Sequence, residues 1–157
     1  MIVRVITLAG GLVGAAGFSQ FPEFSQQYAQ RLGGAVDELH RVVQEFDSDA
    51  AGLGLDRAAA LTQLSKGGDM GAARALTMGM TIARHDRLAA DLDVLQGAGP
   101  FTRAYRMQRF RDRELAARAW AAYKPAIPFT FEGAIFAGAG FVGGIMALAL
   151  YNDFARL

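Results

Sequence analysis

At 157 residues the chain is one domain's worth, 52% apolar with a formal net charge of +1, so it carries no global field to recruit nucleic acid. It has no cysteine, which removes disulfides, thiolate nucleophiles and cysteine-type zinc sites together and suits either side of a membrane. The average hides a split: both ends are apolar and glycine-rich, while the middle holds nearly all of the charge. Basic residues are nearly all arginine, only Lys66 and Lys124 being lysine; with the many alanines and glycines, this points weakly to a bacterial source.

Ile2 to Phe18, IVRVITLAGGLVGAAGF, is the first apolar run, broken only by Arg4. A positive start, an apolar middle and the small residues Ala15, Ala16 and Gly17 also describe a secretory signal peptide. A cleaved signal, an uncleaved anchor and a buried soluble helix therefore compete. The anchor is favoured, because the helical pattern runs past the cleavage point: Thr7, Gly10, Gly14, Gly17, Phe21, Phe24 and Tyr28 step by three and four.

Pro22 starts a new helix or kinks a continuing one. An amphipathic helix then runs from Pro22 to about Ala50, with Phe24, Tyr28, Leu32, Val36, Leu39, Val43 and Phe46 as its apolar stripe. Gly33-Gly34 in its middle marks close packing or a bend. Gly52 and Gly54 break the chain, and Asp56 is a good N-cap for a short helix ending at Gly67-Gly68. Asp69 is expected to cap the next long soluble helix, Met70 to about Gln96. Its expected stripe is Ala73, Leu76, Met80, Ala83, Leu88, Leu92 and Leu95, with Arg84, Arg87, Asp91 and Asp93 opposite. Gly97 to Pro100 ends it.

The basic quarter, Phe101 to Lys124, follows, with Asp112 expected to cap a helix carrying Leu115, Ala119, Trp120 and Tyr123. Pro125 and Pro128 make an extended elbow. The last stretch, Pro128 to Tyr151, has Glu132 as its only ionisable side chain apart from the terminal tyrosine. A bilayer core of about 30 Å takes roughly 20 helical residues, so this stretch is long enough to cross it. No segment alternates cleanly as a strand.

Residues Leu8 to Leu39, and most densely SQFPEFSQQYAQRLGG from Ser19 to Gly34, resemble a family of small proteobacterial membrane proteins known only as a domain of unknown function. The layout of two apolar ends around a helical middle is similar along the whole chain. The resemblance implies an integral membrane location and adds no activity, substrate or catalytic residue.

Gly138 to Gly143 spells a literal GxGxxG, but a dinucleotide fingerprint needs a strand before it. The flanks here are continuous apolar helix. Gly133, Ala137, Gly140 and Gly144 instead recur every three or four residues, a seam along which another helix can approach closely. Gly10, Gly14 and Gly17 form a matching seam in the first span. Mutual packing of the two is the favoured use; the alternative is that one binds another subunit.

Glu132 reads as a headgroup-level carboxylate favoured by the helix N-terminal dipole rather than as a proton or ion ligand. His40 and His85 lack a second His or Cys ligand at useful spacing, so no metal site is expected. The serines lie in no nucleophile motif, and neither catalytic residues nor a cofactor are expected. Arg103, Arg106, Arg109, Arg111 and Arg113, interleaved with aromatics and followed by Trp120, are candidates for lipid or partner contact. Nucleic acid ranks well below these in a neutral chain.

Together these features predict an all-α protein: transmembrane helices at 2–18 and 128–151 flanking a small helical bundle at 22–124. The expected partners are the lipid bilayer and a membrane protein or a second copy of the chain. The expected role is non-enzymatic, an accessory or scaffold subunit of a bacterial inner membrane. A membrane-tethered small-ligand binder or envelope enzyme is the alternative. Arg4 favours an inside N-terminus and the arginine cluster the reverse; since long loops translocate largely regardless of charge, the middle leans periplasmic.

Overall fold

The computed structural model describes residues 2–123 and 130–154, and all regular structure among them is helical. In chain order these are α1 (Ile2–Ser19), α2 (Phe21–Gly52), α3 (Arg57–Ser65), α4 (Gly68–Leu95), α5 (Pro100–Tyr105), a 3-10 turn (Met107–Arg109), α6 (Arg113–Ala122) and α7 (Phe131–Phe154). Two of the helices, one near the N-terminus and one from Phe131 to Tyr151, are long and apolar enough to cross a membrane. They flank the rest, so the protein is an all-α membrane protein. The Pro125–Pro128 elbow and the start of the second span lie outside the described residues.

At about 1.5 Å per residue, the 18 residues of α1 and 24 of α7 reach about 27 and 36 Å, against a hydrocarbon core of about 30 Å. Only 11% of the most apolar window of either candidate is buried. Val5, Leu8, Leu12 and Val13 on α1, and Val142, Met146 and Leu150 on α7, are all exposed. A core helix of a water-soluble protein would cover such side chains; hydrocarbon leaves them no reason to be covered.

The helices divide into two compact units, Met1–Tyr28 with Gly97–Leu157, and Ala29–Gln96. In the first, α1 and α7 run antiparallel. Gly10 lies against Gly144 and Leu148, Gly11 against Phe141 and Ile145, and Gly14 against Gly140. A Cβ added to Gly14, Gly140 or Gly144 would come within 3.0 Å of a carbonyl oxygen on the opposite helix. Backbone thus meets backbone, and only glycine permits it. Gly17 is outside this approach: it is exposed, and a Cβ there would meet nothing within 4 Å. Gly11, absent from the three-and-four pattern, is the buried member.

The antiparallel sense puts the end of α1 beside the start of α7. There Gln20 turns the chain and Pro22 enters α2 as its second residue, where its missing N–H costs nothing. Phe21 packs its ring 5.2 Å from Phe136 of α7 and 6.2 Å from Phe110, and Tyr28 lies 4.5 Å from Phe110. Phe101 of α5 stacks on Phe136 at 5.4 Å. Asp112 caps α6 through its side chain to the Leu115 amide, so that Leu115 and Ala119 are buried.

In the second unit, α2 and α4 are also antiparallel, with Gly33 in contact with Leu92 and the His40 ring 5.4 Å from that of His85. Leu32, Val36, Val43 and Ala50 of α2 and Ile82, Leu88 and Leu95 of α4 are buried. The α2 helix ends with paired bonds, Leu55 N–H to Ala50 O and Gly54 N–H to Ala51 O, closed by Gly54 at φ +71°. Asp56 caps α3 by accepting from the Ala59 amide at 2.7 Å. The buried Gly71 lets α4 approach the Leu64 carbonyl of α3.

Two expectations for α4 need correction. Asp69 is not its cap: the helix begins at Gly68 after Gly67, and Asp69 sits in the first turn. Its buried side is Gly71, Ile82, Leu88, Asp91 and Leu95, so the first half of the expected stripe is rotated outward. Ala73, Leu76, Met80 and Ala83 are exposed, Leu76 and Met80 at 68% and 66%, while Asp91, expected on the polar side, is 3% exposed. The apolar pattern of α4 covers two faces, and sequence spacing alone does not say which one the bundle takes.

Candidate functional site

In the first unit a cavity of about 700 Å³ lies where α1 ends and α7 begins. Its walls come from Ser19 and Gln20 after α1, from Pro22, Glu23 and Gln26 of α2, and from the Gly97–Pro100 turn with Arg103 of α5. Tyr123 after α6 and Thr130 and Glu132 at the head of α7 also line it. The volume lies within the range of about 300–1,000 Å³ typical of small-molecule sites.

Local structure places each polar wall residue. Thr130 caps α7, its carbonyl accepting from Ala134 N–H and its hydroxyl from Gly133 N–H, each at 3.0 Å. That cap fixes Glu132 in the first turn, half-buried, where the helix dipole favours a carboxylate. Gly97, at φ +71°, turns the chain after α4, and Pro100 opens α5. One turn further on, Arg103 is only 6% exposed, and its Nη1 donates to Gln26 Oε1 at 2.5 Å. Burial holds the Arg103 guanidinium below its ordinary value, yet an arginine remains charged at neutral pH.

A chain of hydrogen bonds ties the wall to α1. Tyr123 Oη donates to Gln20 Oε1, Gln20 Nε2 to Ser19 Oγ at 2.9 Å, and Ser19 Oγ to Ala16 O at 2.9 Å. Ser25 Oγ, buried, closes on Pro22 O at 2.8 Å. Among the described residues the wall therefore holds the buried Arg103, the carboxylates of Glu23 and Glu132, and several neutral polar groups.

The arginines of the basic quarter separate. Arg103 faces the cavity and is buried. Arg106, Arg111 and Arg113 are exposed and Arg109 half-buried. Arg106 stands 5.8 Å over the Tyr105 ring, and Arg111 Nε donates to Gln108 O at 2.7 Å. Trp120 is 68% exposed, edge-on to Phe24 at 6.0 Å and stacked on Tyr123. Of the glycine positions, Gly133 is buried and Ala137 half-buried on α7.

Sequence spacing did not reveal Gln20, Gln26, Tyr123 or Thr130 as wall residues, because they come from four separate segments. The one local signal was Thr130, two residues before an acid at a helix start. His40 and His85, remote in sequence, stack at an interplanar angle of 29°, and His85 Nδ1 lies 3.0 Å from Asp86 Oδ1. Among the described residues no group of three or more His, Cys, Asp or Glu is placed to hold a metal ion.

A family model described as "Protein of unknown function (DUF2937)" matches residues 2–156. No curated protein matches the chain. No solved structure matches it either.

Proposed function

The chain belongs to the DUF2937 family, and from that premise we propose that it is a non-enzymatic accessory or scaffold subunit of a bacterial inner membrane. The α1–α7 pair anchors it, and a soluble helix of the middle meets a partner membrane complex. The observation that carries this reading is the outward face of α4, where Met70, Ala73, Leu76, Met80 and Ala83 are all exposed. Isolated exposed apolar residues are ordinary, but a row of them along one helix face marks an interaction surface. The exposed Arg106, Arg111, Arg113, Tyr105 and Trp120 support lipid contact beside the anchor, since arginines and aromatic rings gather at headgroup level.

Purification of the full chain from membranes in mild detergent, with mass spectrometry of what accompanies it, tests the reading. A stoichiometric membrane complex that is lost in Leu76→Arg/Met80→Arg supports it. Recovery of the protein alone, at monomer mass, overturns it. Orientation is tested separately: the middle is proposed to face the periplasm, so Thr62→Cys in this cysteine-free chain reacts with an impermeant maleimide in intact spheroplasts. A second reading, a membrane-tethered small-ligand binder, is favoured by the cavity around Arg103.

A further inference from the structure

We propose that the cavity lined by Arg103, Glu23 and Glu132 binds a phosphate ester carrying a primary ammonium group, the chemistry of an ethanolamine phospholipid headgroup. Three observations converge on it. The first is position. Ser19 closes α1 and Thr130 caps α7, so the cavity opens where a helix of about 27 Å leaves a hydrocarbon core of about 30 Å. That is the depth of headgroups.

The second is charge. Among the described wall residues Arg103 supplies a cation, and Glu23 and Glu132 supply two carboxylates. A simple anion would meet the two carboxylates there, and a simple cation would meet the buried guanidinium. A molecule with a phosphate at one end and an ammonium at the other matches both. The guanidinium fork suits a phosphate, to which arginine binds with paired N–H donors. The third is hydrogen-bonding capacity. Carboxylates only accept, so they favour an ammonium with N–H donors over a quaternary amine. Cation recognition through aromatic cages has little support here, since among the described residues Tyr123 is the only ring in the wall.

The proposal rests on the membrane reading of α1 and α7, so the test measures anchoring apart from binding. Full-length protein, delipidated in detergent, is offered ethanolamine, glycerol and choline phospholipids of matched chains, and retained lipid is counted by native mass spectrometry. The ethanolamine lipid is expected to be kept at least tenfold better than either competitor. Arg103→Gln lowers retention of all three about tenfold. Glu132→Gln removes the preference of ethanolamine over choline while leaving total binding within about twofold. Arg87→Gln, exposed on α4 and outside the cavity wall, changes nothing.

Circular dichroism verifies that each variant is folded; should Arg103→Gln fail this, Glu132→Gln alone decides. Water-soluble phosphoethanolamine displacing the lipid at equal concentration assigns the site to the free zwitterion, and failure to displace assigns it to the membrane lipid. Equal retention of the three lipids, or an unchanged preference in folded Glu132→Gln, overturns the proposal. Sedimentation of the same protein with membranes is read in parallel: recovery in the supernatant defeats the anchor itself, whatever binds the cavity.

Discussion

The α1–α7 pair and the α2–α4 pair are both antiparallel helix pairs, yet they are held in opposite ways. Between α1 and α7 the closest approach is made without side chains: Gly10, Gly14, Gly140 and Gly144 bring backbone against backbone, Phe141, Ile145 and Leu148 close on the glycines of α1, and Val5, Leu8, Leu12, Val13, Val142, Met146 and Leu150 are exposed. Between α2 and α4 the large residues point inward, with Leu32, Val36, Val43, Ile82 and Leu88 buried. The solvent explains the difference. In water, covering a leucine contributes about 1.5–3 kcal/mol, so bulk goes to the interface. In hydrocarbon it contributes almost nothing, and close backbone approach with dispersion decides. The same spacing of three and four therefore marks residues to be large in one region and small in the other.

Substitutions that exchange the two logics break or sharpen this contrast. The largest effect is expected from Leu32→Ala or Leu88→Ala, 0% and 1% exposed. Each should cost about 2–5 kcal/mol in the second unit, read as earlier loss of helical ellipticity on chemical denaturation. An equally large substitution on α1, Leu12→Ala, is expected to cost less than about 0.5 kcal/mol in detergent, because its side chain is 59% exposed.

Next in size is Gly14→Leu, which forces a side chain into the Gly140 carbonyl and should cost about 1–3 kcal/mol. Thermal unfolding in detergent measures it, with Gly17→Leu expected to be nearly neutral. Equal losses at Gly14 and Gly17 would show that the seam is not where the pair is held.

Gly54→Ala follows. The residue sits at φ +71° with nothing within 4 Å of a Cβ, so the cost of about 1 kcal/mol is backbone strain alone. A smaller loss on denaturant titration would mean that the end of α2 refolds around it.

The smallest effect belongs to the exposed Arg57–Asp47 fork, Nε to Oδ1 at 2.8 Å and Nη2 to Oδ2 at 2.5 Å. The hydrogen bond from Arg57 holds the Asp47 carboxyl below its ordinary 3.8. A lowered carboxylate stabilises the fold at pH values above 3.8, and the contribution fades as pH falls through the lower folded-state value. With side chains 41% and 38% exposed, solvent screening limits the pair to a few tenths of a kcal/mol. Asp47→Asn should show that loss at neutral pH and converge with the parent in acid.

Much of the architecture was legible from residues alone. The breaks at Gly54, Gly67-Gly68 and Gly97, the caps at Asp56 and Asp112, and the stripe from Tyr28 to Val43 are local features, dictated by dihedral preference and period. The α4 face was not legible, because Ala73, Leu76, Met80 and Ala83 are as apolar as the residues that the bundle buries. The turn through Gly71 against Leu64, a contact with another helix, selects the buried side. Nor was the cavity legible: Ser19, Gln26, Arg103, Tyr123 and Thr130 share no spacing.

By itself, then, the sequence determined which stretches are helical and which are apolar enough for lipid, since both follow from interactions within a few residues or with solvent. Only the tertiary structure decided that Gly11 rather than Gly17 meets α7, that Arg103 leaves the surface, and that two histidines stack. Those outcomes depend on which surfaces come together, and a residue's neighbours across an interface are set by the whole fold rather than by its own stretch of chain.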